Sequence, residues 1–163
     1  MFKDLFSLQG RVALVTGGSR GIGKMIAAGF LAQGAARVYI TARKAGPCEQ
    51  TAQELTAQYD GECIALPIDI STLSGIDLLT AELGKREQQL DILVNNAGAA
   101  WGAPFDEFPE SGWDKVMDLN VKTPFFLTKA LHGLLQKAAS DERPAKVINI
   151  ASIDGLFVNP LET

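Results

Sequence analysis

Five short runs rich in Val and Ile, separated by longer stretches with helical periodicity, constrain the fold of this chain more than any other feature. RVALV (11–15), RVYIT (37–41), ECIALPI (62–68), DILVN (91–95) and KVINI (146–150) are near-continuous apolar runs. Such runs predict strands buried on both faces of a sheet rather than strands with one wet face. Helical patterns fill the intervals at 21–34, 48–61, 71–90 and 111–140. Strands alternating with helices of this length imply parallel pairing, right-handed crossovers and helices on both faces, a doubly wound α/β sheet. In the strand order 3-2-1-4-5-6 expected of such a sheet, KVINI is left as an apolar edge, and the C-terminal part of the fold is expected to be missing.

No repeat, low-complexity tract or linker divides the 163 residues, which predicts a single domain over 1–163, incomplete at its C-terminus. The composition, 47% hydrophobic and 21% charged, is that of a soluble globular protein. A net charge of −4 with scattered Lys and Arg lacks the footprint of a nucleic-acid binder. Two cysteines, Cys48 and Cys63, are too few for a disulfide framework and favour a reducing compartment. The opening MFKDLFSLQG makes neither a signal-peptide core nor a membrane span. These features predict a cytoplasmic protein without nucleic-acid or membrane partners.

The stretch VTGGSRGIGK joins the first strand to the first helix. Gly17 permits a tight turn, Gly21 lets a pyrophosphate approach the backbone, and Gly23 lets the helix pack closely, with the helix N-terminus facing the anion. A dinucleotide is the natural ligand; a glycine-rich turn without one is the alternative.

The spacing TGxxxGxG differs from the usual dinucleotide fingerprint by one residue between the first two glycines. Together with Asp69 after the third strand, NNAG at 95–98, Asn120 in the long helix and Ser152 after the fifth strand, it resembles the short-chain dehydrogenase/reductase family. The greatest resemblance is to its NADPH-dependent 3-oxoacyl reductases, including the rhamnolipid-synthesis type, on ALVTGGSRGIG, DILVNNAG and the WG at 101–102. The resemblance implies a Rossmann fold and a cofactor site formed by Gly17, Ser19, Arg20, Gly21, Ile22, Gly23, Arg43, Asp69, Ile70, Asn96, Ala97 and Gly98. Within that site Asp69 would bond the adenine, Ile70 would lie beside the ring, and Asn96 and Gly98 would run along the cofactor. From the residues alone, Asp69 also reads as an N-cap for a helix starting near Ser71.

Charge decides the cofactor. An acidic residue ending the second strand would hold the ribose of NAD and repel the extra phosphate of NADP. Here Thr41 is followed by Ala42, Arg43 and Lys44, and Arg20 sits in the glycine turn. Two guanidinium groups suit a 2′-phosphate, so NADP is expected.

Two catalytic residues are expected. Pro124 has no N–H for the carbonyl of Asn120, which frees that acceptor; the resemblance implies that the main chain there holds a proton-relaying water, and a kink without catalytic meaning is the alternative. Ser152 would steady a substrate carbonyl, beside a Tyr-x-x-x-Lys segment that would begin past Thr163. The only tyrosines, Tyr39 and Tyr59, lack a Lys at that spacing. No metal is expected, and His132 receives no role. Trp101 and Trp113 are expected either to border a substrate cleft or to be buried as packing. The implied reaction is reduction of a small carbonyl compound, a 3-oxoacyl thioester or similar, by a homodimer or homotetramer; a truncated or regulatory NADP-binding chain without turnover is the competing expectation.

Overall fold

The computed structural model describes residues 5–156. Its regular elements are β1 (Val12–Thr16), α1 (Gly21–Ala32), β2 (Arg37–Thr41), α2 (Ala45–Gln58), β3 (Glu62–Leu66), α3 (Leu73–Gly84), β4 (Ile92–Asn95), α4 (Glu110–Met117), α5 (Thr123–Ala138) and β5 (Lys146–Asn149). The strands form one parallel sheet in the order β3-β2-β1-β4-β5. No described helix is long and apolar enough to cross a membrane.

Alternating side chains of each central strand feed two different cores, as a period of two requires. Val12 and Leu14 of β1, Tyr39 of β2 and Leu93 of β4 pack with Leu79, Leu83, Leu127 and Leu131 of α3 and α5. Ala13 and Val15, Val38 and Ile40, and Ile92 and Val94 point the other way, to Ala27 and Leu31 of α1 and Leu55 of α2. These strands are apolar at consecutive positions because both faces are covered.

β5 departs from that expectation. Val147 and Ile148 are 42% and 40% exposed, because among the described residues β5 pairs with β4 alone and α5 packs beside it. The edge predicted for this run is present; burial on both faces is not.

The helix bounds also differ. α3 stops at Gly84, short of the expected residue 90, because Glu87 turns inward to accept hydrogen bonds from Arg37 Nη2 (2.8 Å) and the Tyr39 hydroxyl (2.7 Å). α2 begins three residues early, with Pro47 in its first turn, where a missing N–H costs nothing. The stretch 111–140 is interrupted by a π-helical turn, Asp118–Lys122, between α4 and α5. The Thr123 N–H reaches back five residues to the Asp118 carbonyl, and its hydroxyl lies 2.7 and 2.8 Å from the Ile70 and Asp118 carbonyls. Pro124 cannot donate in the following turn, so the wider turn absorbs the break where a plain kink was the alternative.

Candidate functional site

The carboxyl ends of β1 and β4 are knitted together by one side chain. Thr16 Oγ1 accepts hydrogen bonds from the N–H groups of Asn96 and Ala97, both at 2.9 Å, and lies 3.2 Å from the Val94 carbonyl, to which it donates. Asn96 Nδ2 donates back to the Thr16 carbonyl at 2.8 Å. The glycine turn and the NNAG segment are therefore one unit, and Thr16, which opens the TGxxxGxG spacing without a role assigned to it there, is what joins them.

Within the turn, the glycines have different reasons. Gly17 has φ +67°, and a Cβ there would lie 3.0 Å from Ala97 Cα. Gly23 would place a Cβ 2.4 Å from the Gly17 carbonyl oxygen and 2.6 Å from Asn96 Nδ2, so its closeness is to the turn rather than to the sheet. Gly21 has φ +53° with open space around it, so its requirement is conformational. α1 then begins with no side chain capping its first N–H groups, and Ile22 is exposed. The Ser19 carbonyl is tied to α2 by the Thr51 hydroxyl at 2.8 Å, a second contact not signalled by the motif.

Arg20 caps α1 by position alone and is exposed, as is Arg43. Thr16 and Thr41 are register partners, and the Gly18 N–H bonds the Thr41 carbonyl at 3.2 Å, so both arginines stand on the same open edge of the sheet.

One expectation is corrected after β3. Asp69 does not cap α3: its Oδ1 accepts from Ser71 N at 3.0 Å, while Thr72 is the N-cap and accepts from Gly75 N at 3.1 Å. Asp69 remains exposed on the open edge. The Ile70 side chain is 4% exposed and packs in the core with residues of α3 and α5.

Beyond NNAG, the Asn120 amide holds Ala99 from both sides, accepting from its N–H and donating to its carbonyl, each at 2.8 Å. Asn120 thus acts first through its side chain, where the sequence pointed only to its carbonyl. Asn95 Nδ2 donates to Asn149 Oδ1 at 2.9 Å, joining β4 to β5. Asn95, Asn96, Ala97, Gly98, Asn120 and Ser152 line one open cleft of about 1960 Å³ between α4, α5 and β5. Trp101 and Trp113 border it too, partly exposed, which settles their placement at the rim. Neither tyrosine lines it: Tyr39 is buried against Glu87, and Tyr59 ends α2.

The sequence matches the short chain dehydrogenase family over residues 11–163. It is 54% identical, over 93% of its length, to a Pseudomonas aeruginosa protein named rhamnolipids biosynthesis 3-oxoacyl-(acyl-carrier-protein) reductase, and spans 58% of that protein. A Synechocystis 3-oxoacyl-(acyl-carrier-protein) reductase is 33% identical over 94% of the chain, which spans 60% of it. The structure is similar to the NADP complex of Pseudomonas aeruginosa RhlG, with a TM-score of 0.91 and 52% identity over 96% of this chain and 60% of that one. It is also similar to Gluconobacter frateurii L-sorbose reductase complexed with NADPH and L-sorbose, at TM-score 0.88 and 27% identity over 96% and 58% of the two chains. With a family match that runs from Arg11 onward and a fold shared with the solved structures, the chain belongs to the short chain dehydrogenase family.

Proposed function

We propose that this chain is the cofactor-binding part of an NADPH-dependent ketoreductase, acting in the cytoplasm on a 3-oxoacyl thioester or a similar small carbonyl compound. The observation that carries the reading is the unit of Thr16, Gly17, Gly23 and Asn96, in which side chains larger than hydrogen are excluded and the first N–H groups of α1 are left open to an anion. Arg20 and Arg43 stand at its edge, and no carboxylate follows β2, so a 2′-phosphate meets positive charge only. The names of the Pseudomonas and Synechocystis relatives supply the thioester class.

Bound there, NADPH supplies a hydride for a carbonyl carbon. The chain's own residues would do the rest: Gly17 to Gly23 would hold the phosphates, Asn96, Ala97 and Gly98 would line the way, Ser152 would offer a hydroxyl to the carbonyl oxygen, and Asn120 fixes the floor at Ala99. Asp69 faces the adenine end.

A second reading is an NADP-binding chain without turnover; neither Tyr39 nor Tyr59 lines the cleft. A general acid contributes about 10²–10⁴-fold in rate. NADPH oxidation with an acetoacetyl thioester separates the two. Residues 1–163 are expected to bind NADPH without oxidising it, and a version continued to the length of its relatives to do both. Activity of the short form equal to the long one overturns this division of labour; no oxidation by either supports the second reading.

Assembly belongs to the same proposal. Trp113, Met117, Val121 and Phe125, four residues apart, are exposed along α4, the π turn and α5, on the wall of the same cleft. The proposal that the whole protein pairs into a homodimer or homotetramer rests on the family resemblance together with the apolar length of α5. Light scattering is expected to give at least a dimer at micromolar concentration; a stable monomer refutes it.

A further inference from the structure

Gly112 in the first turn of α4 is buried, although a glycine there weakens the helix. Its reason is Trp101. A Cβ at Gly112 would lie 2.8 Å from Trp101 Cγ and Cδ1 and 2.9 Å from Cδ2, so the indole rests directly on the helix backbone. Lys115 Nζ stands 4.9 Å from the ring centroid, a cation–π contact one turn further on. The bond pair between Asn120 and Ala99 pins the same segment two residues earlier. A ring seated in a notch, held by a cation and fixed at the base of its loop is preorganised, yet 39% of Trp101 remains exposed, and it lines the cleft that holds Asn120 and Ser152.

Phe108 and Val116, both half-buried, line that cleft with it. Gly112 lies eight residues before Asn120, about 12 Å along a helix at 1.5 Å per residue. The cleft is therefore polar at Asn95, Asn120, Asn149 and Ser152 and apolar roughly two turns away. We infer that Trp101, seated on Gly112, is the specificity-determining wall of this cleft: it receives the distal part of a substrate's acyl chain, and Gly112 is its positioning residue. The inference rests on the ketoreductase reading for the nature of the chain, but the wall itself is tested by binding alone.

The probes are decanoyl- and butyryl-pantetheine thioesters, titrated calorimetrically into the whole protein with NADP present. The parent is expected to bind the decanoyl probe about 10-fold or more tightly than the butyryl one, since each methylene in an apolar pocket matters. Trp101→Ala and Gly112→Ala are expected to reduce that ratio to below about 3, with NADP affinity unchanged, and Trp101→Phe to retain most of it. A parent without chain-length preference, or variants that keep the parent's ratio, overturns the inference. Should Trp101→Ala fail to fold, the ratio in Trp101→Phe and Gly112→Ala decides. NADPH oxidation with 3-oxodecanoyl thioester runs alongside: no oxidation, with the ratio present and lost in the variants, leaves the wall standing and removes the reaction.

Discussion

Asn120 closes a two-bond ring with the Ala99 peptide, its Oδ1 accepting from the N–H and its Nδ2 donating to the carbonyl at 2.8 Å each. The residue sits in the π turn ahead of Pro124, so a break in the helix and the floor of the cleft are set by the same few residues.

Asn120→Ala removes both bonds, each worth about 0.5–1.5 kcal/mol net. The urea midpoint is expected to fall by the equivalent of about 1–2 kcal/mol, and Asn120→Asp, which keeps only the acceptor, to fall no less. A variant as stable as the parent would show that the 99–102 segment is held by Trp101 alone.

Gly23→Ala and Gly21→Ala separate space from conformation. The first drives a Cβ to 2.4 Å from the Gly17 carbonyl oxygen and is expected to cost about 1–3 kcal/mol of stability together with 10-fold or more in NADPH affinity. The second meets nothing within 4 Å and is expected to cost about 1–2 kcal/mol, for φ alone. Thermal melts and cofactor titrations of both proteins check the order; equal effects would mean the turn moves as a whole.

Arg43→Asp should invert cofactor preference. Exchanging a cation for a carboxylate beside β2 would remove the proposed charge-assisted bond to the 2′-phosphate, worth about 1.5–3 kcal/mol, and add repulsion. NADPH affinity is expected to drop about 10- to 100-fold while NADH affinity holds or rises. Titration calorimetry with both cofactors measures this, and an unchanged ratio excludes Arg43 from the phosphate site.

Glu87 ties the fold to pH. Burial pushes its carboxyl up, but the hydrogen bonds from Arg37 and Tyr39 outweigh it and hold the pKa below the ordinary 4.5. A depressed carboxylate contributes stability above its unfolded pKa and loses it as pH falls through the folded value. Glu87→Gln is therefore expected to cost about 1–3 kcal/mol at pH 7, and the gap to the parent to narrow on acidification below about 4.5. Tyr39 is shifted the other way, upward, first by burial and then by Glu87, so its contribution persists through neutral pH and is lost only as pH rises through the alkaline range. Denaturation midpoints across pH check both signs; a gap independent of pH would mean Glu87 acts by packing.

The sequence by itself determined the parallel α/β sheet, because runs such as VALV can be apolar at every position only where both faces are covered, and β1 is buried throughout. It also determined the cofactor turn, since glycine at 17, 21 and 23 between a strand and a helix is a local requirement of backbone shape and space. What the tertiary structure decided lies wherever a residue's partner is distant in sequence. Thr16 bonds residues 80 and 81 positions away, Glu87 ends α3 for the sake of a strand 48 residues earlier, and Ile70 packs in the core with residues of α3 and α5. The apolar run 146–150 illustrates the same limit: its β-propensity is legible, but whether its faces are covered depends on neighbours that periodicity does not name, and here Val147 and Ile148 stay open to solvent. Gly112 likewise owes its place to Trp101, eleven residues upstream, whose ring lies against it.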